Sequence, residues 1–147
     1  MNEKILDILQ NYYGYKSFRK GQEEIINTIL NGEDVLAIMP TGGGKSLCYQ
    51  VPALCMDGLT IVISPLISLM KDQVDSLTSM GIDASYINSS LSSEDYNQIL
   101  ENITNDKYKI IYVAPERLES TEFLNIIQNK NIAQIAIDEA HCISQWG

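Results

Sequence analysis

A glycine-rich loop follows an apolar, strand-like run, Val35–Met39, near the start of the chain. Three successive glycines let backbone N–H groups point inward and leave room for a phosphate group to approach. A lysine can place its ammonium group against the β- and γ-phosphates, a serine hydroxyl can reach Mg²⁺, and a helix starting there adds its positive N-terminal end. The loop predicts a site for a nucleoside triphosphate with Mg²⁺, although Met39 stands where the simple pattern has glycine. The loop residues are Pro40, Thr41, Gly42, Gly43, Gly44, Lys45 and Ser46.

A second apolar run, Ile132–Ile137, ends on an acidic pair about ninety residues after the glycine-rich loop. A carboxylate at the end of a buried strand can reach the magnesium shell, so we expect Asp138 to bind Mg²⁺ together with Ser46. The next residue, Glu139, is the expected general base or water-positioning group. His141 is a further catalytic candidate, and a polar position on the protein surface is its alternative. In this order, the two motifs predict hydrolysis of the bound triphosphate.

Strands and helices alternate along the chain and would position these motifs. Two helices are expected before the glycine-rich loop, from Asn2 to about Tyr12 and from about Gly21 to Leu30. Repeated strand–helix alternation with continuous apolar strands is typical of a parallel sheet with helices on both faces, so we predict an α/β fold. The expected strands are Val35–Met39, Leu59–Ser64, Ala84–Ile87, Lys109–Val113 and Ile132–Ile137. The helices between and after them are expected at about Gly44–Leu54, Leu66–Met80, Ser92–Asn102 with Ser92 as the cap, and Thr121–Asn129.

The composition limits the possible functions. The 147 residues and 45% hydrophobic content suit one globular domain, and no apolar stretch reaches the roughly 18 residues of a membrane span. The net charge of −9 argues against binding of nucleic acid by bulk positive charge, so any such contact must be local. Cys48, Cys55 and Cys142 form no Cys-x-x-Cys pair, so neither a disulfide framework nor a zinc site is predicted. With no signal peptide at the polar N-terminus, a cytoplasmic location is expected.

Longer motifs surround the chemically informative residues and cover nearly the whole chain from about Leu9. They are Tyr13–Gln22, Met39–Gln50, Ser64–Gln73, Tyr112–Leu118 and Asp138–Gly147. Together they resemble the RecQ family of DNA helicases, within superfamily 2. The resemblance implies the first RecA-like lobe, a P-loop NTPase lobe, of an ATP-dependent helicase. Such an enzyme uses ATP and Mg²⁺ to unwind duplex DNA in the 3′→5′ direction during DNA repair and recombination.

The resemblance also implies roles for residues outside the two main motifs. Tyr15 would stack on adenine, while Arg19 and Gln22 would contact the base, which suits the donor and acceptor of a glutamine side chain. Trp146 would belong to an aromatic-rich loop and could stack on a base, with a position in the core as its alternative. Hydroxyls, helix N-termini and a few basic groups can hold a DNA backbone without bulk positive charge. The residues expected along single-stranded DNA are Ser64, Pro65, Lys71, Pro115 and Arg117.

The same resemblance implies a single partial domain. Residues 1–32 would hold the N-terminal helices and the adenine-reading segment, and residues 33–147 an incomplete RecA-like lobe. The strand after the Asp-Glu-Ala-His motif and the second lobe, with its arginine finger, are expected outside the chain. Negligible ATP turnover is therefore expected of this chain by itself. The strands Val35–Met39 and Ile132–Ile137 are expected to flank an empty slot of about 9–10 Å, twice the normal strand spacing.

Two other functions stay open at this point. The first is a lobe of a superfamily 2 RNA helicase, which the residues Cys142–Gly147 and the adenine-reading segment disfavour. A competition assay with DNA and RNA strands would separate the two helicases. The second is a non-catalytic nucleotide-binding or interaction fragment, because half of the family's active site would be missing. Steady-state ATP hydrolysis would test that alternative.

Overall fold

The computed structural model describes residues 2–18, 21–31, 46–65 and 67–137. The chain divides into two compact units, Met1–Asp57 and Gly58–Gly147. The predicted strand Val35–Met39, the glycine-rich loop up to Lys45, and the Asp-Glu-Ala-His motif lie outside the described residues. The predicted division of the chain at residues 32 and 33 stays a prediction. Within the described ranges, no helix is both long enough and apolar enough to cross a membrane.

The first unit is helical in its described part. Side chains at helical spacing, among them Ile5, Leu9, Ile26 and Val51, are fully buried in one core cluster. The predicted first helix is confirmed, although its last turn is π-helical and ends at Gly14, where φ is +74°. The helices are α1 (Asn2–Ile8), the π-helical turn Leu9–Tyr13, α2 (Gln22–Leu30) and α3 (Leu47–Cys55).

The second unit contains a parallel sheet of four strands in the order β2-β3-β1-β4. The predicted strands at Ala84–Ile87 and Ile132–Ile137 are confirmed at both ends, and the other two end within one residue of their prediction. Ser92 caps its helix as predicted, because its Oγ accepts a hydrogen bond from the Asp95 backbone N–H. The strands are β1 (Leu59–Ile63), β2 (Ala84–Ile87), β3 (Ile110–Val113) and β4 (Ile132–Ile137). The helices are α4 (Ile67–Ser79), α5 (Ser93–Thr104), the 3₁₀ helix Pro115–Glu119 and α6 (Thr121–Gln128).

The direction of the connections places helices on both faces of this sheet. The chain crosses the sheet one way from β1 to β2, and the other way from β2 through β3 to β4. Because parallel crossovers are almost always right-handed, α4 lies on the opposite face from α5 and α6. The face below α5 and α6 buries a cluster that includes Ile61, Ile111, Val113, Ile99 and Phe123. The predicted α/β architecture is therefore confirmed.

Strand β4 forms one edge of the described sheet. It pairs with β1 on one side, and no described residue pairs with its other side. Ile135 and Ile137 are 60% and 48% exposed, which is unusual for isoleucines in a strand that leads towards a candidate site. The expected slot beside β4 also involves Val35–Met39, which lies outside the described residues, so the slot stays a prediction.

Candidate nucleotide and nucleic-acid site

The carboxyl ends of the four parallel strands meet at one edge of the sheet. From the neighbouring strands β1 and β3, the chain continues onto opposite faces, into α4 and α6 respectively. Such a reversal opens a crevice beyond the carboxyl ends of the two strands, which is where ligands bind in open α/β sheets. Four of the predicted DNA-contacting residues directly follow these two strands: Ser64, Pro65, Pro115 and Arg117.

Backbone hydrogen bonds continue past the strand ends and fix the loops around this crevice. The Ser64 N–H donates to the Val113 carbonyl oxygen at 3.1 Å, which joins the end of β1 to the end of β3. The Ala114 N–H donates to the Ile87 carbonyl oxygen at 2.9 Å, which joins the end of β3 to the end of β2. The loops after these three strands therefore keep the spacing of the sheet.

The predicted DNA-contacting residues differ in exposure. Ser64 is only 3% exposed, so its polar groups lie mostly within the protein, whereas Pro65 is half-buried. Lys71 lies on α4 and is exposed, with its Nζ 3.7 Å from Oδ2 of Asp75. A surface ion pair of this kind contributes little energy and holds the lysine only weakly. A DNA contact stays a prediction for each of these residues.

Arg117 has an unusual environment at the same edge. It lies in the 3₁₀ helix that Pro115 begins, and its guanidinium carbon is 4.9 Å from the centre of the Tyr96 ring. Its Nε atom is buried and has no hydrogen-bond partner among the described residues. Because buried donors are nearly always paired, this atom needs an explanation. Tyr96 was not predicted from the sequence as part of the site.

Asn88 also belongs to this edge and was not predicted from the sequence as part of the site. It follows β2 and is fully buried. Its Oδ1 accepts two hydrogen bonds from Ser90, one from the backbone N–H at 2.8 Å and one from the Ser90 hydroxyl at 2.5 Å. The Nδ2 atom lies 3.6 Å from the Met70 sulfur on α4. An asparagine before two serines is a turn signal that could have indicated this role. The side chain fixes the loop that leads into α5.

Ser46 is the residue of the predicted phosphate-binding loop that the structure describes. Its carbonyl oxygen accepts the Gln50 N–H at 2.9 Å, which starts α3 directly behind the loop. Its hydroxyl makes no capping hydrogen bond with that helix, and the residue is partly exposed. Hydroxyl and carboxylate oxygens suit Mg²⁺ as ligands. Binding of the ion by Ser46 and Asp138 stays a prediction, because Asp138 lies outside the described residues.

The predicted adenine-reading segment contacts α3 within the first unit. The Tyr13 hydroxyl donates a hydrogen bond of 2.7 Å to Oε1 of Gln50 on α3. Tyr15 follows two residues later and is 54% exposed, so its ring is accessible for stacking. Gln22 starts α2, is only 1% exposed and has a polar partner within the protein. The Tyr13–Gln50 contact was not predicted, because 37 positions separate the two residues.

The remaining predicted site residues cannot be placed relative to these groups, because they lie outside the described residues. These residues are Arg19, Thr41, Gly42, Gly43, Gly44, Lys45, Asp138, Glu139, His141 and Trp146.

Comparisons with known proteins identify the family. A family model described as DEAD/DEAH box helicase matches residues 19–147. The ATP-dependent DNA helicase RecQ of Haemophilus influenzae is 56% identical over 142 residues, which cover 97% of this chain and 23% of that protein. The RecQ of Bacillus subtilis is 52% identical over 100% of this chain and 25% of its own length. The chain thus spans about a quarter of the length of these curated relatives.

Solved structures agree on the fold. A hypothetical ATP-dependent RNA helicase from Sulfolobus tokodaii superposes with a TM-score of 0.74, over 100% of this chain and 44% of that chain. Its sequence is 23% identical, a level at which the likeness concerns the fold alone. The family match, by contrast, covers most of the chain. The chain belongs to the DEAD/DEAH box helicase family, and within that family it is similar to the RecQ DNA helicases.

Proposed function

We propose that this chain is the ATP-binding first lobe of a RecQ-type, ATP-dependent DNA helicase. The observation that carries the proposal is the crevice between β1 and β3, because the two loops with the RecQ-like DNA motifs border it. In the same sheet, β4 ends at Ile137, the residue before the acidic pair. The relatives that are 52–56% identical are named ATP-dependent DNA helicases, which supports the same substrate here.

The proposed nucleotide site would bind ATP with Mg²⁺. Lys45 would bind the β- and γ-phosphates, and Ser46 with Asp138 would hold Mg²⁺, which neutralises phosphate charge when bound. Glu139 would orient the attacking water and accept its proton. Tyr15 would stack on the adenine ring, and the Tyr13–Gln50 hydrogen bond would hold this segment against the helix that follows the phosphate loop. Arg19, Gln22 and His141 keep the roles that the sequence predicts, as part of this proposal.

The DNA half would use a small number of local contacts. The protein carries 19 acidic and 10 basic residues, so its net charge does not attract DNA. Pro65, Lys71, Pro115 and Arg117 would instead follow one strand along the carboxyl edge of the sheet, with Trp146 stacking on a base. Hydrolysis would then drive unwinding in the 3′→5′ direction, in DNA repair and recombination in the cytoplasm. A second RecA-like lobe of the same parent protein would complete the site.

A competition experiment tests the choice of DNA as substrate. A fluorescent single-stranded DNA oligonucleotide is bound to the chain, and unlabelled DNA or RNA of the same sequence is added. We expect DNA to displace the probe at a several-fold lower concentration than RNA. Equal displacement by RNA would favour the RNA helicase alternative. No binding of either strand would contradict the DNA half of the proposal and favour the non-catalytic fragment.

A further inference from the structure

The guanidinium group of Arg117 is held from one side by an aromatic ring. The 3₁₀ helix Pro115–Glu119 follows β3, and Tyr96 lies near the start of α5, which follows β2. Because β2 and β3 are neighbours, the two side chains meet at the carboxyl edge, with 4.9 Å between the guanidinium carbon and the ring centre. Guanidinium groups stack on aromatic faces while keeping their charge and their hydrogen-bond donors. The ring therefore limits the positions that the Arg117 side chain can occupy.

This guanidinium group has no counter-ion within the described part of the chain. Glu116 and Glu119 lie in the same 3₁₀ helix and are exposed, yet neither forms an ion pair with Arg117. The Nε atom is buried and makes no hydrogen bond with a described residue. Because no carboxylate of the described residues pairs with Arg117, its guanidinium group can bind an external anion.

Tyr96 is itself fixed at both ends. Its ring is partly buried against the core cluster between the sheet and helices α5 and α6. Its hydroxyl shares a hydrogen bond of 2.7 Å with Oγ of Ser120, the residue after the 3₁₀ helix. The same Oγ accepts the Phe123 N–H at 3.4 Å, at the start of α6. Ser120 therefore links the ring under Arg117 to the end of the helix that carries Arg117.

We propose that Tyr96, supported by Ser120, is a positioning residue that presents the Arg117 guanidinium group to a phosphate of single-stranded DNA. The inference rests on the proposed DNA-binding function and adds Tyr96 as the residue that orients Arg117 for that binding. A guanidinium group held in one plane can donate two parallel hydrogen bonds to phosphate oxygens. It also loses less side-chain freedom on binding than an unsupported arginine does. Tyr96 acts through Arg117 and does not itself contact DNA.

The test is the affinity of the chain for a fluorescent oligothymidylate, measured by anisotropy at several salt concentrations. Tyr96→Leu removes the ring face but keeps apolar bulk, and we expect binding to weaken about three- to thirty-fold. Tyr96→Phe keeps the ring face and loses only the hydrogen bond to Ser120, so we expect a smaller loss of affinity than in Tyr96→Leu. Arg117→Ala should weaken binding and reduce the slope of log affinity against log salt by about one. Adding Tyr96→Leu to Arg117→Ala should cause no further loss, because the ring acts only through the arginine.

Matched controls come from the opposite edge of the sheet. Tyr108 is a second partly buried tyrosine of the same core cluster, and its hydroxyl accepts a hydrogen bond of 2.8 Å from Asn102. Lys107 is exposed and precedes β3. We expect Tyr108→Leu and Lys107→Ala to leave DNA affinity and its salt dependence unchanged. Thermal melting of each variant, followed by circular dichroism, identifies any variant that fails to fold.

One further variant keeps the test decisive if Tyr96→Leu does not fold. Arg117→Lys keeps the charge but loses the planar group, so we expect a several-fold weaker affinity with an unchanged salt slope. Wild-type affinity in both Tyr96→Leu and Arg117→Lys, or an additive loss in the double variant, would overturn the positioning role. If the wild-type chain itself does not bind the oligonucleotide, the proposed function fails, and the positioning role fails with it.

Discussion

Replacing Gly58 with alanine is expected to disrupt the junction where β1 and β4 begin to pair. Gly58 has a φ of +108°, which residues with side chains rarely adopt. A Cβ atom there would lie 2.6 Å from the Asn131 carbonyl oxygen and 3.2 Å from the Ala133 nitrogen. The same carbonyl oxygen accepts the Leu59 N–H at 2.9 Å, so the backbone cannot move aside without losing that hydrogen bond.

The expected loss of stability combines two costs. The unfavourable backbone conformation costs about 1–3 kcal/mol. The contact at 2.6 Å is with backbone rather than with a flexible side chain, and overpacking of this kind costs a further 1–3 kcal/mol or so. Alanine also lowers the conformational entropy of the unfolded chain, which stabilises the folded state by about 0.4–1 kcal/mol. The free energy of unfolding should therefore fall by about 1–6 kcal/mol, compared with roughly 5–15 kcal/mol for a typical domain.

Urea unfolding followed by circular dichroism measures this loss, and Gly81→Ala is the matched control. Gly81 has a φ of +84°, but nothing lies within 4 Å of a Cβ built there, so only the backbone cost applies. We expect Gly58→Ala to lose at least about 1 kcal/mol more than Gly81→Ala. Equal losses in the two variants would refute the steric part of the reasoning. No loss in either variant would refute the backbone part as well.

Three further predictions concern the cap of α5, a buried thiol and adenine selectivity. Ser92→Ala should lower the free energy of unfolding by about 1 kcal/mol in the same urea assay, because the cap of α5 is lost. Ser93→Ala, one position into the helix, is the control and should have a smaller effect. Burial raises the pKa of the Cys48 thiol from 9.0 to about 11, so the folded state holds this proton more tightly. This thiol should not change the free energy of unfolding below pH 9. Between pH 9 and 11 it should lower that free energy by up to about 1.4 kcal/mol per pH unit, and Cys48→Ala should lack this decrease. ATP should bind more tightly than GTP in calorimetry, and equal affinities would remove the adenine-reading role of Gln22 and Tyr15.

Local patterns were sufficient to predict most elements of the fold. The apolar runs at Ala84–Ile87 and Ile132–Ile137 form strands with those ends, and Ser92 caps its helix as expected. These features depend on neighbouring residues, so the sequence contains them directly. The first helix ends in a π-helical turn that no local pattern indicated, because an apolar spacing looks the same for both helix types over a single turn.

Contacts between distant parts of the chain were not predictable in this way. The family resemblance predicts that Arg117 contacts DNA. Its contact with Tyr96 follows from the pairing of β2 with β3, which no motif indicates. The Tyr13–Gln50 hydrogen bond likewise depends on how two helices pack. Ser64 was selected as a hydroxyl along the DNA, and its burial at 3% exposure results from the neighbouring strand ends. The family resemblance thus predicts which loops would contact DNA, whereas the packing of Tyr96 beneath Arg117 is visible only in the structure.

The most direct test of the proposed ATP-binding lobe is a calorimetric titration of the chain with Mg²⁺–ATP. We expect one binding site in the wild type and no detectable binding in Lys45→Ala. Thermal melting of Lys45→Ala without ligand should match the wild type, because a loop lysine leaves no core cavity when shortened. The absence of ATP binding in the wild type, or equal binding in Lys45→Ala, would contradict the assignment of this chain as a nucleotide-binding helicase lobe.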